Sequence, residues 1–160
     1  MTNLISALAL VVSALSLVVS WRVGRANARH HEPLIWLSFQ GFEQQPEWWY
    51  ATLHIRNRSA AGIQIDKVIA KGKTRLSSYR GPIIGGKRWQ FDDAVRDAPL
   101  VKELPLGDQR VWAFPGEDGA SGIILRSSSS DVVLKLVGRT IEAVPKSIRF
   151  RVKAQLHEGE

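Results

Sequence analysis

The chain has 160 residues, 44% of them apolar and 23% charged: enough for one ordinary domain with a core, too few for two large ones. That apolar share excludes a wholly disordered polyelectrolyte, and the absence of cysteine excludes disulfide frameworks, Cys-zinc sites, iron–sulfur clusters and thiol catalysis. A formal net charge of +7 favours anionic partners, whether phospholipid head groups, nucleic acid or an acidic protein face.

The first element is apolar. Leu4 to Val19 reads LISALALVVSALSLVV, with no charge, glycine or proline. Continued through Val23, with only Arg22 charged, a helix reaches roughly 30 Å, the thickness of a bilayer's hydrocarbon core. Trp21 then falls at the lipid–water boundary, where an indole prefers to lie. An amphipathic core helix would show a polar face, and none exists. A cleaved signal peptide would carry a basic region before the apolar run, but Met1-Thr2-Asn3 has none. The triplet Ala26-Asn27-Ala28 follows Arg22 and Arg25, the wrong flank for cleavage. The sequence therefore predicts a retained transmembrane helix in residues 1–23 and a basic juxtamembrane linker in 24–33.

Arg22, Arg25 and Arg29 lie on the C-terminal side of this span, so the positive-inside rule places the following domain in the cytoplasm, on the inner membrane. Trp21 and the three arginines are the expected membrane-interface residues, the arginines facing anionic head groups. Ser6, Ala9, Ser13, Ser16 and Ser20 recur at steps of three and four. Such a seam suits close approach of a second helix, by self-association or onto a partner span. The same serine hydroxyls can instead bond back to carbonyls of their own helix.

From Pro33 the pattern turns to strands. Ile35, Leu37 and Phe39 alternate with Trp36 and Ser38; Trp49, Ala51, Leu53 and Ile55 alternate with Tyr50, Thr52, His54 and Arg56. Further strands are predicted at 63–71, 87–91, 111–114, 122–126, 131–137 and 147–156, punctuated by Gly, Pro, Asn and Ser turns. A short helix near Asp92 to Lys102 is limited by Pro99. Seven to nine short strands in residues 34–157, without a long helical period, predict a mainly β fold: a two-sheet sandwich behind the N-terminal helix. The last strand alternates most strictly, with Ile148, Phe150, Val152, Ala154 and Leu156 on one face and Arg149, Arg151 and Lys153 on the other.

The segment WYATLHIRNRSAAGIQIDKV, Trp49 to Val68, resembles the hairpin common in bacterial immunoglobulin-like sandwiches. The run ALALVVSALSLVVSWR resembles the anchors of uncharacterised bacterial and phage single-span membrane proteins. The resemblance implies an immunoglobulin-like sandwich on a single-span anchor, and carries no activity or functional residue with it.

Candidate chemistry is sparse. Gly81 to Arg88 nearly spells a phosphate loop, but Arg88 stands where a hydroxyl would hold magnesium, and the strand-like Trp89-Gln90-Phe91 follows instead of a helix. His30, His31, His54 and His157 lack the spacing of a metal site. Asp92, Asp93, Asp97, Glu117 and Asp118 sit in polar, turn-like contexts that solvate them, and no Gly-x-Ser-x-Gly elbow occurs. Asn57-Arg58-Ser59 matches a glycosylation acceptor formally, while a turn role accounts for the Asn. The expectation is no enzyme, no metal and no cofactor.

Trp36, Trp89 and Trp112 lie in strand patterns and are expected in the core. Trp48 differs by parity: with Trp49 facing inward, Trp48, Tyr50, His54 and Arg56 share the outer face. That aromatic and basic stripe, with Arg149, Arg151 and Lys153, forms the candidate partner-binding set. Cover by a neighbouring loop is the alternative for Trp48, and edge protection the alternative for the basic strand. From Glu32 onward 19 Lys/Arg stand against 15 Asp/Glu, and no OB-type or RNP-type aromatic motif appears, which disfavours nucleic acid.

The expected function is a membrane-anchored, non-catalytic interaction or accessory module of a membrane-associated complex, its partners the bilayer and a protein. The alternatives are an outward-facing envelope or phage-encoded exclusion subunit, or an enzyme with an unrecognised site.

Overall fold

The computed structural model describes residues 12–24, 31–42, 45–79 and 93–156. The chain divides into two compact units, Met1–Glu32 and Pro33–Glu160. Ser6, Ala9, Arg25, Arg29, His30, Trp89, His157, the glycine-rich 81–88 segment and the strand expected at 87–91 lie outside the described residues.

In the first unit, helix α1 (residues 12–24) is exposed throughout. It covers about 20 Å at about 1.5 Å per residue. Among the described residues no helix is long and apolar enough to cross a membrane; residues 1–11 of the predicted anchor are not described. Ser13, Ser16, Ser20, Trp21 and Arg22 all lie on α1.

The second unit is a sandwich of two antiparallel sheets. Its strands are β1 (Leu34–Phe42), β2 (Gln45–Arg56), β3 (Gly62–Ala70), β4 (Arg75–Ser77), β5 (Leu100–Val101), β6 (Glu103–Pro105), β7 (Val111–Ala113), β8 (Asp118–Arg126), β9 (Asp131–Ile141) and β10 (Ser147–Gln155), with a short helix α2 (Asp93–Asp97) between β4 and β5. One sheet runs β1-β2-β8-β4-β5, the other β10-β9-β3-β6, with β7 also on β3. The mainly β sandwich expected from the strand pattern is the observed architecture.

Period-two alternation puts one set of side chains from each sheet between the layers. Trp49, Ala51, Leu53 and Ile55 of β2 meet Ile63, Ile65 and Val68 of β3 and Val132, Leu134 and Leu136 of β9, all buried, with Ile123 and Leu125 of β8 closing the first sheet. At about 25 cal/mol per Å2 such fully buried Leu and Ile side chains contribute on the order of 2 kcal/mol each.

Two local features set the register. Along β3 the pairing with β9 slips between Ile65 and Lys67, so Asp66 is the extra residue of a bulge. The slip lets Ile63 and Ile65 before it, and Val68 and Ala70 after it, all face the core. The second feature is the corner from β2 to β3. Strand β2 pairs with β1 and β8, whereas β3 pairs with β9, β6 and β7. Trp49 to Val68 is therefore a crossing between sheets rather than a hairpin. Asn57 makes that crossing possible: it is fully buried, its Nδ2 donates to the carbonyls of Ala61 and Ala113 at 2.8 Å each, and its Oδ1 accepts from Ser59 N and Oγ. One side chain thus satisfies the turn and ties it to β7.

Candidate functional site

The outer face of the first sheet carries the predicted aromatic stripe. Parity holds, since Trp48, Tyr50, His54 and Arg56 share the side of β2 opposite Trp49, but the surface is not open. Trp48 is only 6% exposed and packs with Phe42, Ile124 of β8 and Val95 of α2, flanked by Tyr50 and Tyr79. Val95, Ile124 and Tyr79 come from far along the chain, so Trp48 is buried, packed by a short helix and a neighbouring strand as well as by the loop residue Tyr79. Tyr50 leans over Gly122, where an added Cβ would overlap the phenol oxygen. A glycine there admits the ring.

Toward the other end of the same face, His54 stacks on Trp36, with ring centroids 5.0 Å apart and planes 8° apart, and shares a 2.8 Å hydrogen bond between its Nε2 and Ser38 Oγ. Arg56 donates from Nε and Nη2 to the two oxygens of Asp118, both at 2.8 Å. That hydrogen bond, and then the opposite charge, raises the Arg56 pKa; the same hydrogen bond holds the Asp118 carboxyl below its ordinary range. The stripe's polar members are thus engaged within the domain.

Trp36 and Trp112 depart from the core expectation. They are 43% and 47% exposed, because alternation assigns them to the outer faces of β1 and β7. Residue type favoured the interior; strand parity decided otherwise.

The outer face of the second sheet is different. Arg149, Arg151 and Lys153 are exposed along β10, as the alternation predicts. The ladder places Arg149 opposite Val137, Arg151 opposite Lys135 and Lys153 opposite Val133. Lys135 in turn faces Ile69 of β3, and Lys71 N donates to the Val133 carbonyl just beyond the end of β3. Lys71 and Lys135 therefore join the three predicted residues in one basic field. A shallow groove of about 400 Å3 is lined by Lys71, Lys135, Arg149, Phe150 and Arg151. A neighbouring one, lined by Asp131, Val133, Arg151, Lys153 and Gln155 among others, continues it.

None of these five cations has a carboxylate within salt-bridge distance among the described residues. Elsewhere the domain does pair its charges: Lys67 with Glu103 at 3.1 Å, Arg126 with Glu47 at 2.6 Å, and Arg110 and Arg139 with Asp66 at 3.7 and 3.8 Å. Like charges directly opposite on neighbouring strands lie about 5 Å apart and are destabilising. The Arg151–Lys135 pair therefore has a structural cost and no compensating carboxylate among the described residues. Lys135 and Lys71 escaped the sequence reading because only the strand register brings them beside β10; the alternation of Val133, Lys135 and Val137 was the available signal.

Among the described residues no group of three or more His, Asp or Glu side chains is placed to hold a metal ion. Neither the family models nor the curated proteins contain a match to this chain. Among solved structures it is similar to the crystal structure of a FixG-related protein from Vibrio parahaemolyticus, at 10% identity over 78% of this chain and 97% of that one, with a TM-score of 0.34.

Proposed function

We propose that this protein is a membrane-anchored, non-catalytic docking module whose basic sheet face, formed by Lys71, Lys135, Arg149, Arg151 and Lys153, receives an acidic protein partner. The apolar run from Leu4 to Val23 supports the anchor, and the arginines after it support a cytoplasmic domain. The strand order supports an immunoglobulin-like sandwich: β1-β2-β8-β4 against β10-β9-β3 follows the A-B-E-D and G-F-C order of that fold.

The observation that carries the reading is the directly opposed Arg151 and Lys135, with three further cations around them that have no carboxylate partner among the described residues. Edge protection explains a charged β10, but Lys135 belongs to β9, an interior strand, and Lys71 lies beyond β3. Val133, Val137 and Ile69 lie half-buried between the cations, so the face offers apolar contact as well as charge. A shallow face of this kind, with cations set among Val and Ile, suits protein better than nucleic acid, for which stacking aromatics would be interleaved. Anchoring raises the effective concentration of a membrane-associated partner, so modest contacts suffice.

The test is co-purification from membranes with Arg149→Glu and Arg151→Glu combined. Loss of a specific partner with an unchanged melting temperature is the expected result. Retention of every partner by a folded double variant would remove the basic face from function.

A further inference from the structure

We infer that the end of the sandwich at which the chain enters is a bilayer-contacting tip, inserted into the boundary between head groups and acyl chains. This rests on the anchor reading of residues 4–23. The topology defines the end. Leu34 opens β1 opposite Arg56 at the close of β2, Asp118 opens β8 opposite the same Arg56, and Ile141 closes β9 opposite Gly62 at the start of β3. The β2–β3 crossing, the β7–β8 turn and the β9–β10 turn therefore gather where the polypeptide arrives from residue 32. Hydrogen bonds from Asn57 N to the Glu117 carbonyl and from Gly116 N to the Asn57 carbonyl lock two of them together.

Exposed bulky apolar side chains are concentrated here. The sandwich exposes Leu34, Trp36, Leu100, Trp112, Phe114 and Val144 among its described residues. Leu34 (43%), Phe114 (49%) and Val144 (74%) lie at this end, on three separate segments. Trp36 and Trp112 sit two residues further along β1 and β7, about 7 Å behind the tip. Leu100 alone lies elsewhere. Such a group is more than scattered surface hydrophobics, and indoles one layer behind an apolar tip match the preference of Trp for the membrane interface. The opposite end instead carries Lys71, Lys73 and the Ser127 to Ser130 turn.

Charge separates this surface from the basic face. Arg58 and Lys146 are balanced by Glu117 and Glu142, and Arg56 is paired with Asp118. Contact at the tip is therefore driven by apolar burial rather than by anionic lipid.

The experiment uses the full chain, which has no native cysteine, reconstituted in vesicles of phosphatidylcholine with brominated acyl chains. An environment-sensitive fluorophore is placed at Val144→Cys or, as the far-end control, at Ser128→Cys. The expected result is blue-shifted emission quenched by the brominated lipid at 144, with no such change at 128, and the same outcome when phosphatidylglycerol is added. Phe114→Ser should reduce the quenching at 144. Equal responses at 144 and 128 in protein that floats with the vesicles would overturn the tip while leaving the anchor intact. Quenching at 144 that appears only with phosphatidylglycerol would also overturn it, and would assign lipid contact to charge. Protein that does not float would overturn the anchor, and the tip with it.

Discussion

The two outer faces of the sandwich are built from the same strand geometry and have opposite fates. The face of β1, β2 and β8 begins with aromatic residues and engages them within the domain, closed at Trp48 and open to solvent at its other end: Trp48 packs with Val95 and Ile124, His54 stacks on the half-exposed Trp36, and Arg56 pairs with Asp118. The face of β10, β9 and β3 begins with cations that have no carboxylate partner among the described residues, with Arg151 and Lys135 directly opposed. Large amphipathic rings are satisfied by burial within one molecule. A cluster of like charges is satisfied only by solvent or by an acidic surface brought from outside.

Substitutions on the closed face should therefore act on folding, and those on the open face on binding. The largest expected effect is that of Trp48→Ala, which should lose about 3 kcal/mol of stability in urea titration, as expected for truncating a buried tryptophan. A cost under about 1 kcal/mol, within the usual range for surface substitutions, would mean that Trp48 is not covered. Next comes Asn57→Ala at the corner shared by both sheets. It strips the carbonyls of Ala61 and Ala113 of a donor and should cost about 2 kcal/mol in the same titration. On the open face, Lys135→Gln should leave the melting temperature unchanged or raise it slightly, because it relieves the opposition to Arg151.

The smallest effect belongs to Asp118→Asn. The Asp118 carboxyl has a lowered pKa in the folded chain, chiefly through its hydrogen bond with Arg56. The folded state thus binds fewer protons than the unfolded one in the acid range. The advantage of Asp over Asn is full above the ordinary carboxylate pKa and is lost as pH falls through the lower folded value. Because both side chains are more than half exposed, the difference in melting temperature should be small at neutral pH and vanish at strongly acid pH.

Parity was legible from the sequence wherever apolar and polar residues alternated without interruption. In β10 it correctly separated Arg149, Arg151 and Lys153 from Phe150 and Val152. In β2 it placed Trp48 opposite Trp49 but could not supply the cover, because Val95 and Ile124 reach Trp48 only through the tertiary fold. Trp36 and Trp112 show the reverse error: their chemistry suggested the core, while their position in the alternation put them outside. The bulge at Asp66 and the crossing at Asn57 depend on which strands pair, a nonlocal property that the turn-like Asn57-Arg58-Ser59 does not encode. The sequence pattern marks strand β8 only from Gly122, since Asp118-Gly119-Ala120-Ser121 offers no apolar alternation. Lys71 and Lys135 became part of the candidate site only through the ladder register.

The most direct measurement is site-specific photocrosslinking in intact membranes, with the photoreactive residue at position 151 on the open face or at position 38 on the closed one. A discrete crosslinked protein is expected from 151, disappearing as salt is raised, and none from 38. Equal crosslinking from both positions, or a product from 38 alone, would contradict the assignment of docking to the basic face.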